Sequence, residues 1–112
     1  MEISVVLSRD EVEGFSIVKA ILRDLCDASR IAHRNAINYI SVLLDDNKNK
    51  RICRLWFKRK QKYITILDEN MKLVRYDISN PDEIHNFADL IKARYNQILS
   101  KGAIDDGDED EK

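Results

Sequence analysis

The chain has 112 residues, 44% hydrophobic and 35% charged, with 19 basic and 20 acidic residues and a net charge of -1. That length suits one domain with an ordinary core, and no apolar run approaches the ~18 residues needed to span a bilayer. The two cysteines, Cys26 and Cys53, cannot form a disulfide framework, and with His33 and His85 they lack the spacing of a zinc site.

The near-neutral charge hides an asymmetry. The last eight residues hold six acids (Asp105, Asp106, Asp108, Glu109, Asp110 and Glu111) and one lysine, so positions 1–104 carry 18 basic against 14 acidic residues. The domain is expected over 1–104, with 105–112 a disordered acidic tail that has nothing to bury. The N-terminus has no basic segment ahead of a sustained apolar run, so it is not read as a secretory signal. A cytoplasmic protein with reduced thiols and no membrane association is expected.

Residues 2–7 read as a short strand or an ordered lead-in. Ser8-Arg9-Asp10-Glu11 then matches a capping box. Val12, Phe15, Val18, Leu22 and Leu25, flanked by Ile17 and Ile21, predict a helix over about 9–27. Gly14 costs that helix about 1 kcal/mol relative to Ala, and admits a close approach by another element. Residues 30–36 read as either a polar loop or a short edge strand.

From 38 the pattern changes to alternation. Strands are expected at 38–44, 51–58, 63–67 and 72–78, separated by the turns Asp45–Lys50, Arg59–Gln61 and Asp68–Met71. Connections this short imply antiparallel neighbours. Asn80 as cap, Pro81 at the first helical position and Glu83 start a second helix, with Ile84, Phe87, Ala88, Ile91, Tyr95 and Ile98 as its stripe and Gly102 as its stop. The expected fold is α+β: a four-stranded antiparallel meander with an N-terminal and a C-terminal helix packed on one face.

Four segments bear on identity: Glu13-Gly14-Phe15-Ser16-Ile17-Val18-Lys19-Ala20-Ile21-Leu22, Leu43-Leu44-Asp45-Asp46-Asn47, Ile52-Cys53-Arg54-Leu55-Trp56-Phe57, and Lys62-Tyr63 followed by Asp68-Glu69. Together, over roughly 9–95, they resemble a small accessory domain of bacterial endonuclease-like proteins. It is found beside, and usually after, the nuclease domain in proteins like the N-terminal region of type I restriction enzyme R subunits. The resemblance implies a restriction-related, DNA-related context. Its motifs are structural, and it carries no catalytic residue onto this chain.

The strongest candidate site is a basic β-ribbon: Lys48, Lys50, Arg51, Arg54, Lys58, Arg59, Lys60 and Lys62, with Trp56 among them. Clustered cations neutralise phosphates, and an aromatic on the same strand face can stack on an unpaired base. By the period-two rule Arg54, Trp56 and Lys58 share one face, while Cys53, Leu55 and Phe57 share the other. The alternative is a solvated hairpin edge whose cations discourage sheet-to-sheet aggregation, with Trp56 in the core.

A nuclease centre is a weaker candidate. A metal-dependent endonuclease needs carboxylates to hold Mg²⁺ and a lysine near the attacking water. Asp46-Asn47-Lys48, preceded by Asp45, has the short pattern, but it falls in a turn. The strand that should carry the carboxylates reads Ile52-Cys53-Arg54. Cys53 shares the face of Leu55 and Phe57, so it reads as core. No catalytic residue, metal ligand or cofactor is assigned. The expected function is an accessory domain that contributes DNA binding; the alternative is a protein-interaction or dimerisation module that binds a nuclease domain or a second copy of itself.

Overall fold

The computed structural model of the chain describes residues 8–58 and 60–101. The expected lead-in at 2–7, the Gly102 stop and the acidic tail lie outside them. Helix α1 runs Arg9–Leu22, and α2 runs Ala88–Lys101. Between them lie five strands: β1 (Ile31–Asn35), β2 (Ile40–Leu44), β3 (Arg51–Trp56), β4 (Lys62–Leu67) and β5 (Leu73–Ile78). They form one antiparallel meander in the order β1-β2-β3-β4-β5.

The expectation of four strands is therefore corrected to five. The ambiguous segment 30–36 is the edge strand β1, joined to β2 by a tight turn in which the Ala36 amide donates to the Tyr39 carbonyl at 2.8 Å. Its sequence, Ile-Ala-His-Arg-Asn, shows no apolar alternation, because an edge strand has little to bury. Two ion pairs also hold it to the far end of β2. Arg30 grips Asp45 through Nε and Nη2 at 2.8 and 2.7 Å, and Arg34 Nε donates to Asp46 at 2.9 Å.

Helix α1 begins as the capping box requires. The Ser8 hydroxyl accepts from the Glu11 amide at 3.1 Å, and the Ser8 amide donates to the Glu11 carboxylate at 2.9 Å. Its buried face is Glu11, Gly14, Ile17, Val18, Ile21 and Leu22, whereas Val12 is 49% and Leu25 39% exposed. The apolar-only stripe was thus rotated from the true face, since a glycine and a glutamate occupy inward positions. The inward glycine has a steric reason. A Cβ at Gly14 would stand 2.8 Å from Phe57 Cε2 and 3.1 Å from Leu55 Cδ1, closer than carbon atoms pack.

The second helix starts later than Pro81 suggests. Residues Pro81–Phe87 form a 3-10 segment, Asn80 makes no side-chain cap bond, and the α-helical turns begin at Ala88. Its expected stripe is nonetheless buried or half-buried from Ile84 to Ile98. One core gathers Ile17, Val18, Ile21 and Leu22 of α1, Ile91, Tyr95 and Ile98 of α2, and sheet residues including Ile40, Val42, Cys53, Leu55, Ile64 and Ile66. The ladder explains which strand residues join it: Ile40 opposes Leu55, Val42 opposes Cys53, and Leu55 opposes Ile64. These are cross-strand neighbours on one face. The register slips between Val42 and Leu43, so Ile52 is the extra residue of a bulge and is buried beside Cys53.

Candidate nucleic-acid interface

The face of the sheet that alternates with this core carries the middle of the basic ribbon. Arg54 opposes Ser41 and Thr65, and Trp56 opposes Tyr63. The period-two grouping of Arg54 with Trp56 therefore holds, but the face is not open at these residues. Arg54 is 1% and Arg51 4% exposed. The Arg54 guanidinium lies 5.0 Å from the Tyr39 ring centroid, and the Arg51 carbonyl accepts from Arg94 Nε of α2 at 2.8 Å.

Trp56 is half-buried. Its Nε1–H donates to Thr65 Oγ1 at 3.0 Å. Its ring is flanked by Tyr39, with centroids 4.4 Å apart, and by Tyr63, stacked at 5.3 Å with planes 14° apart. The row continues to Arg75 of β5, whose guanidinium sits 3.8 Å from the Tyr63 centroid. Tyr39, tilted at 43° to Trp56, then Trp56 stacked on Tyr63, and Arg75 over Tyr63 thus form one row of contacts across the sheet. Such a ladder stabilises strand pairing. Trp56 is spent on its neighbours, so an unpaired base finds no free ring face there.

The remaining cations sit in the turns or, for Lys62, at the first position of β4. Lys58 pairs with Glu11 of α1 at 3.0 Å, Lys62 with Asp10 at 3.5 Å, and Lys50 with Asp45 at 3.6 Å. Lys48, at the start of the 3-10 turn after Asn47, and Lys60, between β3 and β4, are exposed and form no ion pair among the described residues. Arg59 lies outside those residues. Of the nine ribbon positions, the structure therefore buries two arginines in the sheet, ties three lysines to carboxylates, and leaves Lys48 and Lys60 standing in water.

Asp45 and Asp46 are turn formers rather than metal ligands in a strand. Both adopt left-handed backbone angles, φ 58° and 54°, which short polar side chains tolerate best after glycine. The hydrogen bond from Arg30 holds the Asp45 carboxyl below the usual carboxylate range, and that from Arg34 does the same for Asp46. Among the described residues no group of three or more His, Cys, Asp or Glu side chains is placed to hold a metal ion. Burial pushes the Cys53 thiol up to about 12, so it stays protonated and unreactive near neutral pH. His33 lies on β1 with its ring edge-on to Phe15 at 4.8 Å, and His85 is exposed.

One feature escaped the sequence reading. A groove of about 480 Å³ runs between the β4–β5 turn and α2, lined by Leu67, Asn70, Leu90, Ala93, Gln97 and Ser100. The Gln97 amide donates to the Asp68 carbonyl at 2.9 Å across its floor. Only the outward Leu90, off the helix stripe, hinted at it. No helix among the described residues is long and apolar enough to cross a membrane. Compared with known proteins, the chain matches no protein-family model, no curated protein and no solved structure.

Proposed function

We propose that this chain is an accessory domain of a restriction-endonuclease-like protein, with both helices on one sheet face, that contributes DNA phosphate contacts through its β-turns. The observation that carries the reading is the β3–β4 connection. It places Lys58, Arg59, Lys60 and Lys62 within five residues, against two partner carboxylates, Glu11 and Asp10. A turn with surplus positive charge, adjoining a rigid sheet, suits a polyanion that is gripped by its backbone and not read by sequence. The segments behind the resemblance serve this scaffold: Gly14 seats α1 on Leu55 and Phe57, and Asp45 and Asp46 lock β1 to the β2 turn.

The test is fluorescence anisotropy of a labelled duplex and a labelled single strand, titrated with the protein at several salt concentrations. With four cations in sequence against the two carboxylates Asp10 and Glu11, a net of two positive charges, affinity should fall with a log–log salt slope of roughly −2. Charge reversal at Arg59 and Lys60 should abolish binding of both probes. Absence of binding at low salt, where screening is weakest, would overturn the reading. Arg54→Glu is unsuitable as a probe, since it buries a carboxylate in the sheet and disrupts the fold whether or not DNA binds.

A further inference from the structure

We infer that β5 is a homodimerisation edge, on which a second copy of this chain adds its own β5 antiparallel about a two-fold axis at Tyr76. This goes beyond the DNA reading and does not depend on it. β5 closes the sheet on one side, paired with β4 over all six residues from Leu73 to Ile78. At the hairpin end the Asp68 amide donates to the Lys72 carbonyl at 2.8 Å. Along an antiparallel ladder the bonded pairs alternate, so Val74, Tyr76 and Ile78 turn their backbone groups toward β4. Leu73, Arg75 and Asp77 turn theirs outward, away from every described strand. These three are the exposed positions of β5, with Leu73 47% exposed. The strand has no lysine, proline or bulge among its six residues to block addition of another strand.

The occupant follows from the sequence of the edge itself. Val74-Arg75-Tyr76-Asp77-Ile78 is self-complementary when read against its own reverse. With Tyr76 opposite Tyr76 of the second copy, Arg75 faces Asp77, Asp77 faces Arg75, and Val74 faces Ile78. The same register places outward backbone groups against outward ones, giving four main-chain hydrogen bonds from the two Arg75–Asp77 pairs. Charge selects this register over its neighbours. Sliding the copies by one bonded pair sets Arg75 against Arg75 in one direction, or Asp77 against Asp77 in the other, and like charges directly opposite are destabilising. Both side chains are accessible for the exchange. Arg75 and Asp77 are 51% and 59% exposed, and they already meet within the strand at 2.7 Å. On the core side, Tyr76 packs against Phe87 at 4.8 Å, so the two-fold axis would bring two such aromatic pairs together. An isologous interface of this kind is closed, as a two-fold dimer requires.

Sedimentation velocity of the full chain over a concentration series reads the outcome. The wild type should pass from monomer to dimer as concentration rises. Arg75→Asp and Asp77→Arg, each alone, set like charges opposite one another twice and should raise the dissociation constant by roughly tenfold or more. Mixing these two variants in equal amounts should restore a dimer, because each carries the charge the other lacks; a change confined to one chain would not produce that recovery. Circular dichroism melts of the single variants confirm folding. A wild type that stays monomeric to its solubility limit overturns the inference. So do single variants that dimerise like the wild type, or a mixture that fails to recover.

Discussion

Arg54 and Lys60 are six residues apart in one run of basic residues, yet the fold uses them in opposite ways. Arg54 lies inside a strand flanked by β2 and β4, where the pleat directs its side chain under Tyr39 and leaves 1% of it exposed. Lys60 lies where the chain reverses, and the reversal points it into water. A long cationic side chain in mid-sheet contributes its methylenes to packing and its charge to a buried network. The same charge at an exposed turn position such as Lys60, with no ion pair among the described residues, contributes little to the fold and is free for a ligand. Density of Lys and Arg along a sequence therefore overstates a binding surface unless strand and turn positions are separated.

Substitution at Arg54 should sharpen that contrast most. Arg54→Ala removes a fully buried side chain and should cost on the order of 3 kcal/mol in chemical denaturation. Arg54→Glu should leave no cooperative transition at all. A loss below about 1 kcal/mol for the alanine variant would mean that the strand arginine behaves like a surface cation. Gly14→Ala probes the other face of β3. The new Cβ would meet the buried Phe57 ring at 2.8 Å. Overpacking of about 1–3 kcal/mol outweighs the gain of about 1 kcal/mol in helix propensity, so a net loss of about 1 kcal/mol is expected. Thermal unfolding of this variant beside an exposed-site control such as Ser16→Ala checks the sign.

These positions also mark what the sequence could and could not disclose. The capping box, the two helices, the meander and its last four strands were legible, because hydrophobic period and turn chemistry are local. β1 was legible only as one of two alternatives, a polar loop or an edge strand, since Ala32, His33, Arg34 and Asn35 owe their strand to pairing with β2 and to Asp45 and Asp46, ten or more residues away. The inward face of α1 was missed by one position, because Gly14 and Glu11 are inward for reasons of close approach and an ion pair, not hydrophobicity. At the candidate site period two groups Arg54 with Trp56 and Cys53 with Leu55, but the bulge carries Ile52 into the core, and Lys58, past the end of the strand, turns to Glu11 of α1. The burial of Arg51 and Arg54 was not legible, as period two tells which residues share a face and says nothing of what lies over it.

Acid should separate the β2 turn from helix α1. Asp45 and Asp46 have folded-state pKa values lowered by their bonds to Arg30 and Arg34. Their contribution is thus present above the ordinary carboxylate value of about 4 and is lost as pH falls through the lower folded values. Glu13 runs the other way. Partial desolvation, followed by its contact with Asp82, raises its pKa. Its contribution is present below the ordinary value and is lost as pH rises through the raised one. Melting temperature followed from neutral pH to about pH 3 should fall for the wild type, and fall less steeply for Asp45→Asn, which starts lower. Glu13→Gln should match or exceed the wild type near neutrality and lose that advantage in acid. An acid arm unchanged by Asp45→Asn would remove the Arg30–Asp45 clamp from the account of how β1 is held.

The smallest effect on stability belongs to the turn lysines, and its smallness is informative. Lys48→Glu and Lys60→Glu alter exposed side chains with no ion pair among the described residues, so each should shift unfolding by less than about 0.5 kcal/mol. A larger destabilisation at Lys60 would place it in the scaffold with Lys58 and Lys62. It would also deprive the β3–β4 turn of the surplus charge on which phosphate contact depends. If stability is unchanged while DNA affinity falls, the two uses of a basic residue are resolved within one hairpin: Lys58 and Lys62 brace the turn against α1, and Lys60 meets the ligand.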